Sequence, residues 1–207
     1  MLNPAGYSAI LPKSFILEVG IEGNFLKNQQ RKYNSTSADD YTTAENARNI
    51  INFREIAIQM PIAKGLGFGF SLTPYGSVGY KMHTFEQSED IWGTVGGVMY
   101  NYQGDGDLTE VKAGLGWEIF RGFSLGVAAK YYWGNIKHNY STSIYGDYVG
   151  SGDFVSTIGL DDYAFSNFKF QVGLQWNILS TKKRLLTVGA TYDYGGPLRP
   201  KVEQTIY

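Results

Sequence analysis

The stretch GLGFGFSLTPYGSVGY, residues 65–80, alternates large apolar residues with small ones over its first half. One face of this stretch carries Leu66, Phe68, Phe70 and Leu72. Such a two-residue period predicts a β-strand. The alternation breaks at Pro74-Tyr75-Gly76, and because proline has no N–H to donate to a ladder, this point predicts a bulge, a kink or an edge. The interruption is therefore either an ordinary β-bulge or a gap in a wall.

Six further segments show the same alternation and predict six more strands. They are residues 15–25, 51–61, 109–119, 123–137, 165–178 and 185–195. Each predicted strand has one apolar face, whereas its other face holds glycine with polar or charged residues. The connections alternate between short turns and long polar segments. We expect loops at 26–50, 81–108 (with a small hairpin near 98–102) and 138–162, and a loop or extended tail at 196–207.

This pattern predicts an all-β, antiparallel, up-and-down transmembrane β-barrel, since such barrels combine short periplasmic turns with long external loops. If the short turns are periplasmic, aromatic residues fall at both ends of the apolar face, as interfacial girdles do. The periplasmic set is Phe15, Trp117, Phe123 and Trp176, and the outer set is Phe25, Trp133, Phe168, Tyr192 and Tyr194. A soluble β-protein with inverted faces is the alternative.

Composition excludes several classes of function. Eighteen lysines and arginines balance nineteen acidic residues. The chain therefore lacks the surplus of positive charge that would indicate binding to nucleic acid. The chain has no cysteine, and His83 and His138 lack partners at metal-ligand or triad spacing. We therefore predict no enzyme, no metal and no cofactor. No basic and apolar leader precedes residue 15, so we expect the N-terminus of an exported protein to be incomplete here.

Three segments carry a resemblance to a known family. They are Asn3-Pro4-Ala5, the stretch 65–80, and YQGDGDLTEVKAGLGWEIFRGFSLGVAAKYYWGNI at 102–136. Together they resemble the FadL/TodX family of outer-membrane transport proteins. The resemblance implies that residues 14–207 are about seven strands, the N-terminal half, of a fourteen-stranded barrel. It also implies that residues 1–13, with Asn3, Pro4 and Ala5, are the remnant of an N-terminal hatch.

The same resemblance implies a function in the outer membrane of a Gram-negative bacterium. A FadL-like protein would transport hydrophobic small molecules such as long-chain fatty acids and release them sideways through a kinked third strand. The implied ligand path and lateral gate is Pro74, Tyr75, Gly76, Val78, Gly79 and Tyr80. The alternative is a non-transporting FadL-like barrel that acts as a scaffold for secretion or surface assembly. A transporter needs a continuous apolar path, whereas a scaffold can have a sealed polar interior.

Several partners follow from these expectations. Membrane lipid and lipopolysaccharide would surround the barrel, and a hydrophobic small molecule would be its ligand. Seven strands leave ladder edges open, so we expect a second chain or a missing C-terminal half to complete the wall. The inward faces carry charges of both signs, which predicts cross-strand salt bridges. These residues are Glu18, Glu22, Glu55, Lys112, Glu118, Lys130, Lys169 and Asp193.

Overall fold

A computed structural model describes residues 3–33, 41–86, 97–145, 157–181 and 184–207. In these ranges the chain forms one short 3₁₀-helix and eight strands, with no α-helix. The elements are η1 (Pro4–Ala9), β1 (Ile16–Tyr33), β2 (Tyr41–Ala63), β3 (Leu66–Glu86), β4 (Gly97–Phe120), β5 (Phe123–Tyr145), β6 (Thr157–Ser180), β7 (Leu185–Tyr194) and β8 (Lys201–Ile206). In the part of the chain so described, no helix has the length and apolar character needed to cross a membrane.

The predicted all-β antiparallel, up-and-down arrangement is confirmed. Each strand from β1 to β6 pairs with the next one along the chain, in a single sheet. β7 pairs with Phe170–Ser180 of β6, and β8 pairs with Gly159–Ala164 of the same strand. β7 and β8 therefore lie one after the other along the same side of β6, with residues 195–200 between them. The sheet is not closed, because β1 lies at one edge and β7 and β8 together form the other.

The three long loops predicted from the sequence are wrong over most of their length. β1 continues to Tyr33, β5 continues to Tyr145, and β4 begins at Gly97 without a separate hairpin near 98–102. The tail also contributes a strand, β8. These segments carry polar residues on both faces, which hides the strand period, but cross-strand ladders still pair their backbone groups. Residues 34–40, 87–96 and 146–156 lie outside the described residues.

The two faces of the sheet differ in character. The outer face is the one that carries the apolar band, and its side chains are exposed: Val127 is 56% and Phe168 is 68% exposed. The inner face holds the buried polar residues, such as Lys112 and Gln171. The aromatic residues of the predicted outer end cluster on the outer face, with 4.5 Å between the rings of Tyr131 and Phe168.

A β-bulge at Tyr75 changes which residues of β3 lie on each face of the sheet. Pro74 pairs with Thr109 and Gly76 pairs with Leu108, so Tyr75 is the extra residue. Because the bulge shifts the numbering by one, the apolar side chains after it turn inward, while the polar ones remain outside. Residues opposite the inner face of β4 are Val78, Tyr80 and Met82, and those opposite its outer face are Ser77, Lys81 and His83.

Polarity therefore reverses along the height of the outer face. On β5 the outer residues are aromatic at Tyr131 and Trp133, and then polar from Asn135 to Ser141. From Phe123 to Tyr131 the strand is about 27 Å long, which is near the lower limit of the length that a tilted strand needs to cross a bilayer. Beyond this band the strands continue, and their outer face carries polar side chains.

A cross-strand disulfide tests whether residues 81 and 103 lie in a strand ladder or a loop. Lys81 and Gln103 are direct partners, at a Cα separation of about 4.5 to 5.5 Å, which suits a disulfide. The chain has no cysteine, so the pair Lys81→Cys and Gln103→Cys is unambiguous. We expect nearly complete oxidation in the folded protein, measured by thiol titration and mass spectrometry.

The matched control pairs Lys81→Cys with Tyr102→Cys, which lies on the opposite face. We expect this control to oxidise poorly. Equal oxidation of both pairs would show a mobile loop in place of the ladder.

Candidate functional site

The inner face of the sheet carries a row of glycines that crosses four strands. Gly67 pairs with Gly116, Gly116 pairs with Gly126, and Gly126 pairs with Gly173. We call these four residues the glycine row. Because glycine has no side chain, the row leaves a shallow bare strip of backbone that another segment can approach closely.

The segment η1 is built to be short and rigid. The side chain of Asn3 accepts a hydrogen bond from the N–H of Ala5 at 3.0 Å and so caps the helix. Pro4 stands in the first turn, where its missing N–H costs nothing. The helix ends at Ile10, whose backbone is extended and whose N–H donates to the carbonyl of Tyr7.

η1 lies against the glycine row and anchors to the strands by hydrogen bonds. Asn3 Nδ2 donates to the carbonyl of Leu174 at 2.9 Å. The hydroxyl of Ser8 donates to the carbonyl of Ala5 and accepts a hydrogen bond from the hydroxyl of Ser124, each at 2.8 Å, and both bonds are buried. Ala5 is fully buried in this contact. η1 and its cap Asn3 are thereby fixed to β5 by a buried hydrogen bond and to β6 by an exposed one.

The contact requires glycine at three of the four points of the row. A Cβ on Gly67 would collide with the carbonyl of Tyr7, and a Cβ on Gly126 would collide with the backbone of Pro4 and Ala5. A Cβ on Gly116 would also meet the backbone of η1, whereas one on Gly173 would meet the side chains of Asn3 and Pro4. Backbone atoms cannot yield as a flexible side chain does, so the row and η1 are complementary surfaces.

The predicted hatch residues Asn3, Pro4 and Ala5 therefore lie together on the inner face. Sequence reasoning missed Tyr7 and Ser8, which belong to the same contact. The ring of Tyr7 covers Gly69, and burial raises the pKa of this phenol. The available signal was the glycine that recurs on the polar face of each predicted strand, but only the register shows that these glycines are neighbours.

A layer of lysines lies on the inner face beside η1. Lys112, Lys130 and Lys169 are direct cross-strand partners on β4, β5 and β6. Like charges placed opposite one another destabilise a sheet, so nearby groups must offset them. Lys130 forms a salt bridge with Asp193 at 2.7 Å, as the sequence predicted for this class of residue. Lys169 lies over the ring of Tyr132, with 5.7 Å between Nζ and the ring centroid.

The predicted gate residues separate into two groups. Pro74, Tyr75 and Gly76 lie together at the bulge of β3, where they line a cavity of about 660 Å³. The ring of Tyr75 meets that of Tyr132 edge to face, at 4.9 Å between centroids. Val78 and Tyr80 lie farther along the inner side, and Tyr80 hydrogen-bonds to His138 Nδ1 at 2.8 Å. Gly79 lies between them and pairs with Asp105.

The cavity passes through the sheet at the place where β2 and β3 separate. The last β2–β3 pair before the separation is Ile56 with Leu72. Inner-face residues such as Glu22 and outer-face residues such as Asp107 both line the cavity. Its lining includes Arg54 as well as these two acidic residues, together with Phe53, Pro74 and Tyr75. A hydrocarbon chain in the opening would therefore meet charged groups as well as apolar ones, and burying such charges against it is costly.

Among the described residues, no group of histidine, aspartate or glutamate side chains could hold a metal ion.

Comparison with known proteins places this chain in a family. The family model named BamG matches residues 1–207. The chain belongs to the BamG family. No curated protein and no solved structure matches it.

Membership of the BamG family overturns the resemblance to FadL/TodX. The prediction that the chain transports long-chain fatty acids and releases them through the third strand is accordingly wrong. The segments that carried the resemblance, Asn3-Pro4-Ala5 and the glycine-rich strands, are explained by the contact between η1 and the glycine row. These glycines leave the space that η1 needs in order to lie against the inner face of the sheet.

The glycine row makes a prediction about the N-terminus of this BamG protein. Gly126→Ala places a Cβ on the backbone of Pro4 and Ala5, and overpacking of this kind costs about 1 to 3 kcal/mol. The undocked population of η1 should then rise about 5- to 150-fold. Limited chymotrypsin digestion should report this as faster cleavage after Tyr7, which is buried in the wild type.

Gly23→Ala is the matched control on β1. Its Cβ would meet only the Phe25 ring, at an ordinary 3.5 Å, so cleavage after Tyr7 should match the wild type. Unchanged cleavage in Gly126→Ala would disprove the docking of η1 on the row.

Proposed function

We propose that this protein is a non-enzymatic component that works with the BAM complex in the outer membrane of Gram-negative bacteria. The observation that carries the proposal is the match of the BamG family model over residues 1–207. The family's name connects it with the BAM complex, the machinery that assembles β-barrel proteins in that membrane. The proposed role is that of an assembly scaffold, and it replaces the ligand transport that the resemblance implied.

The exposed outer face supports residence in the membrane. Leu17, Val127, Val172 and Val188 are each about half exposed in a continuous sheet, and a soluble monomer rarely leaves such an apolar surface to water. Aromatic side chains end this band at both sides, as they do at membrane interfaces. We therefore place lipid against the band, and lipopolysaccharide at its outer end, with the sheet forming part of a transmembrane wall.

The contacts of the inner face favour a scaffold role and argue against a channel for apolar molecules. η1 covers the glycine row, and the lysine layer lies beside it with its partners Asp193 and Tyr132. An apolar molecule that passed here would have to replace these polar contacts, at a cost of several kcal/mol for each buried group. η1 thus acts as a built-in hatch, and residues 14–207 supply the wall. The wall is completed by a second chain or by further strands.

Lipid contact can be tested with one charge on the outer face. Val127→Lys places an ammonium at mid-height of the apolar band, where lysine costs about 2 to 4 kcal/mol in a bilayer. We expect a large loss of protein from the outer-membrane fraction, measured by sucrose-gradient fractionation. In detergent, the same variant should remain folded by circular dichroism.

Asn135→Lys is the control, because Asn135 lies on the same strand and face but beyond the aromatic residues. It is exposed and opposes Asp107, so membrane levels should equal the wild type. Equal levels for both variants would contradict contact between the band and lipid.

Depletion of the protein from its native cells tests the assembly role. Newly made outer-membrane barrels should then lose their heat-modifiable, folded form on gels, while inner-membrane proteins are unaffected. Affinity purification of the protein should recover BAM-complex subunits. Normal barrel folding after depletion, together with no recovery of those subunits, would refute the proposal.

A further inference from the structure

The boundary between β2 and β3 contains an unpaired stretch in the middle of the sheet. β2 and β3 pair from the turn at Gly65 up to Ile56 and Leu72, and their ladder stops there. Beyond this point β2 pairs only with β1, and β3 pairs only with β4. We call the facing segments Ile51–Glu55 and Thr73–Val78 the seam.

Two β-bulges produce the seam. On β2, Gly20 pairs with Glu55 and Ile21 pairs with Phe53, so Arg54 is an extra residue. On β3, Tyr75 is extra. Bulges bend a strand, increase its twist and end its pairing, and here two of them stand on opposite sides of the same boundary. β2 and β3 are the arms of one hairpin, so their separation is built into these two strands.

The seam presents backbone groups that the described residues leave unpaired on that side. On either side of the bulge at Tyr75, alternate residues of 73–78 direct their backbone groups away from β4, since a strand directs them to both of its sides in turn, although Pro74 has no N–H to offer. A Cβ added to Gly76 would meet no atom within 4 Å, so the inner face is open at this point of β3. The cavity of about 660 Å³, which residues 52–54 and 73–77 line together, leaves space between the two strands as well. An open edge of this kind is a template for another strand.

Resting on the proposed function, we infer that the seam binds an extended segment of another protein, which pairs as a strand with Thr73–Val78. The chemistry recognised is a peptide backbone, and the charged cavity of about 660 Å³ receives its polar side chains. Arg54, Glu22 and Asp107 lie around this cavity and offer charges of both signs. A bare hydrocarbon would satisfy neither the backbone groups nor these charges.

Amide hydrogen exchange, resolved at single residues, tests the inference on the complex isolated from the outer membrane. Alternate amides of residues 73–78 should exchange at least about tenfold more slowly in that complex than in the chain stripped of its partners. Amides that pair β4 with β5 should be protected in both states and serve as the internal control.

Single proline substitutions distinguish strand pairing from simple steric shielding of the amides by a bound partner. Proline at Gly76, Ser77 or Val78 removes one N–H at a time, and only alternate residues direct that group toward the seam. Prolines of the seam-facing parity should keep thermal stability near wild type and weaken the protection of residues 73–78 about two- to twelvefold. Prolines of the other parity should lower stability instead, because they break the β3–β4 ladder.

Each outcome decides the inference. Slow exchange of residues 73–78 in the stripped chain, or only in a dimer of this chain, would show that the chain covers its own seam and would overturn it. Equally fast exchange in both states would overturn it as well. If the protein purifies with BAM-complex subunits while its seam amides are unprotected, the strand-binding inference fails and the proposed function stands. If it purifies without those subunits, the proposed function fails first.

Discussion

The contact between η1 and the glycine row is the constraint on which the rest of this structure depends. η1 contacts five successive strands, β2 to β6. The glycines permit this contact, because they let strand backbones and η1 approach without side chains between them.

The two bulges have a second, independent consequence for the wall. Without an extra residue at Tyr75, the alternation of β3 would carry Val78, Tyr80 and Met82 to the outer face, in the region where neighbouring strands show polar residues. The bulge keeps them inside. The same extra residue bends β3 away from β2. A single extra residue thus keeps apolar side chains on the inner face and polar ones on the outer face above the apolar band. The same residue opens the seam at the upper limit of that band.

The sequence predicted the apolar halves of the strands well, because alternation such as Leu66 to Leu72 is a local signal. It did not predict the ends of the upper halves, because residues such as those at 138–145 are stabilised by pairing across strands and show no apolar period. Pro74 marked the place of the opening, but the separation of β2 depends on a bulge at Arg54 that no local pattern shows. The glycine row likewise exists only through register. The family was misjudged because alternation and glycine-rich hairpins belong to many outer-membrane sheets.

The position of the seam accounts for how it can remain open. A free backbone edge inside hydrocarbon costs several kcal/mol for each unsatisfied group, so a wall in the membrane must pair its strands. β2 and β3 do so up to Leu72, which lies in the same cross-strand row as Val111, Tyr131 and Phe168, at the aromatic limit of the apolar band. The seam spans the rows in which the outer face of β5 changes from Trp133 to the polar Asn135. If the apolar band meets lipid, as proposed, water can solvate the polar part of this edge until a polypeptide strand replaces that water.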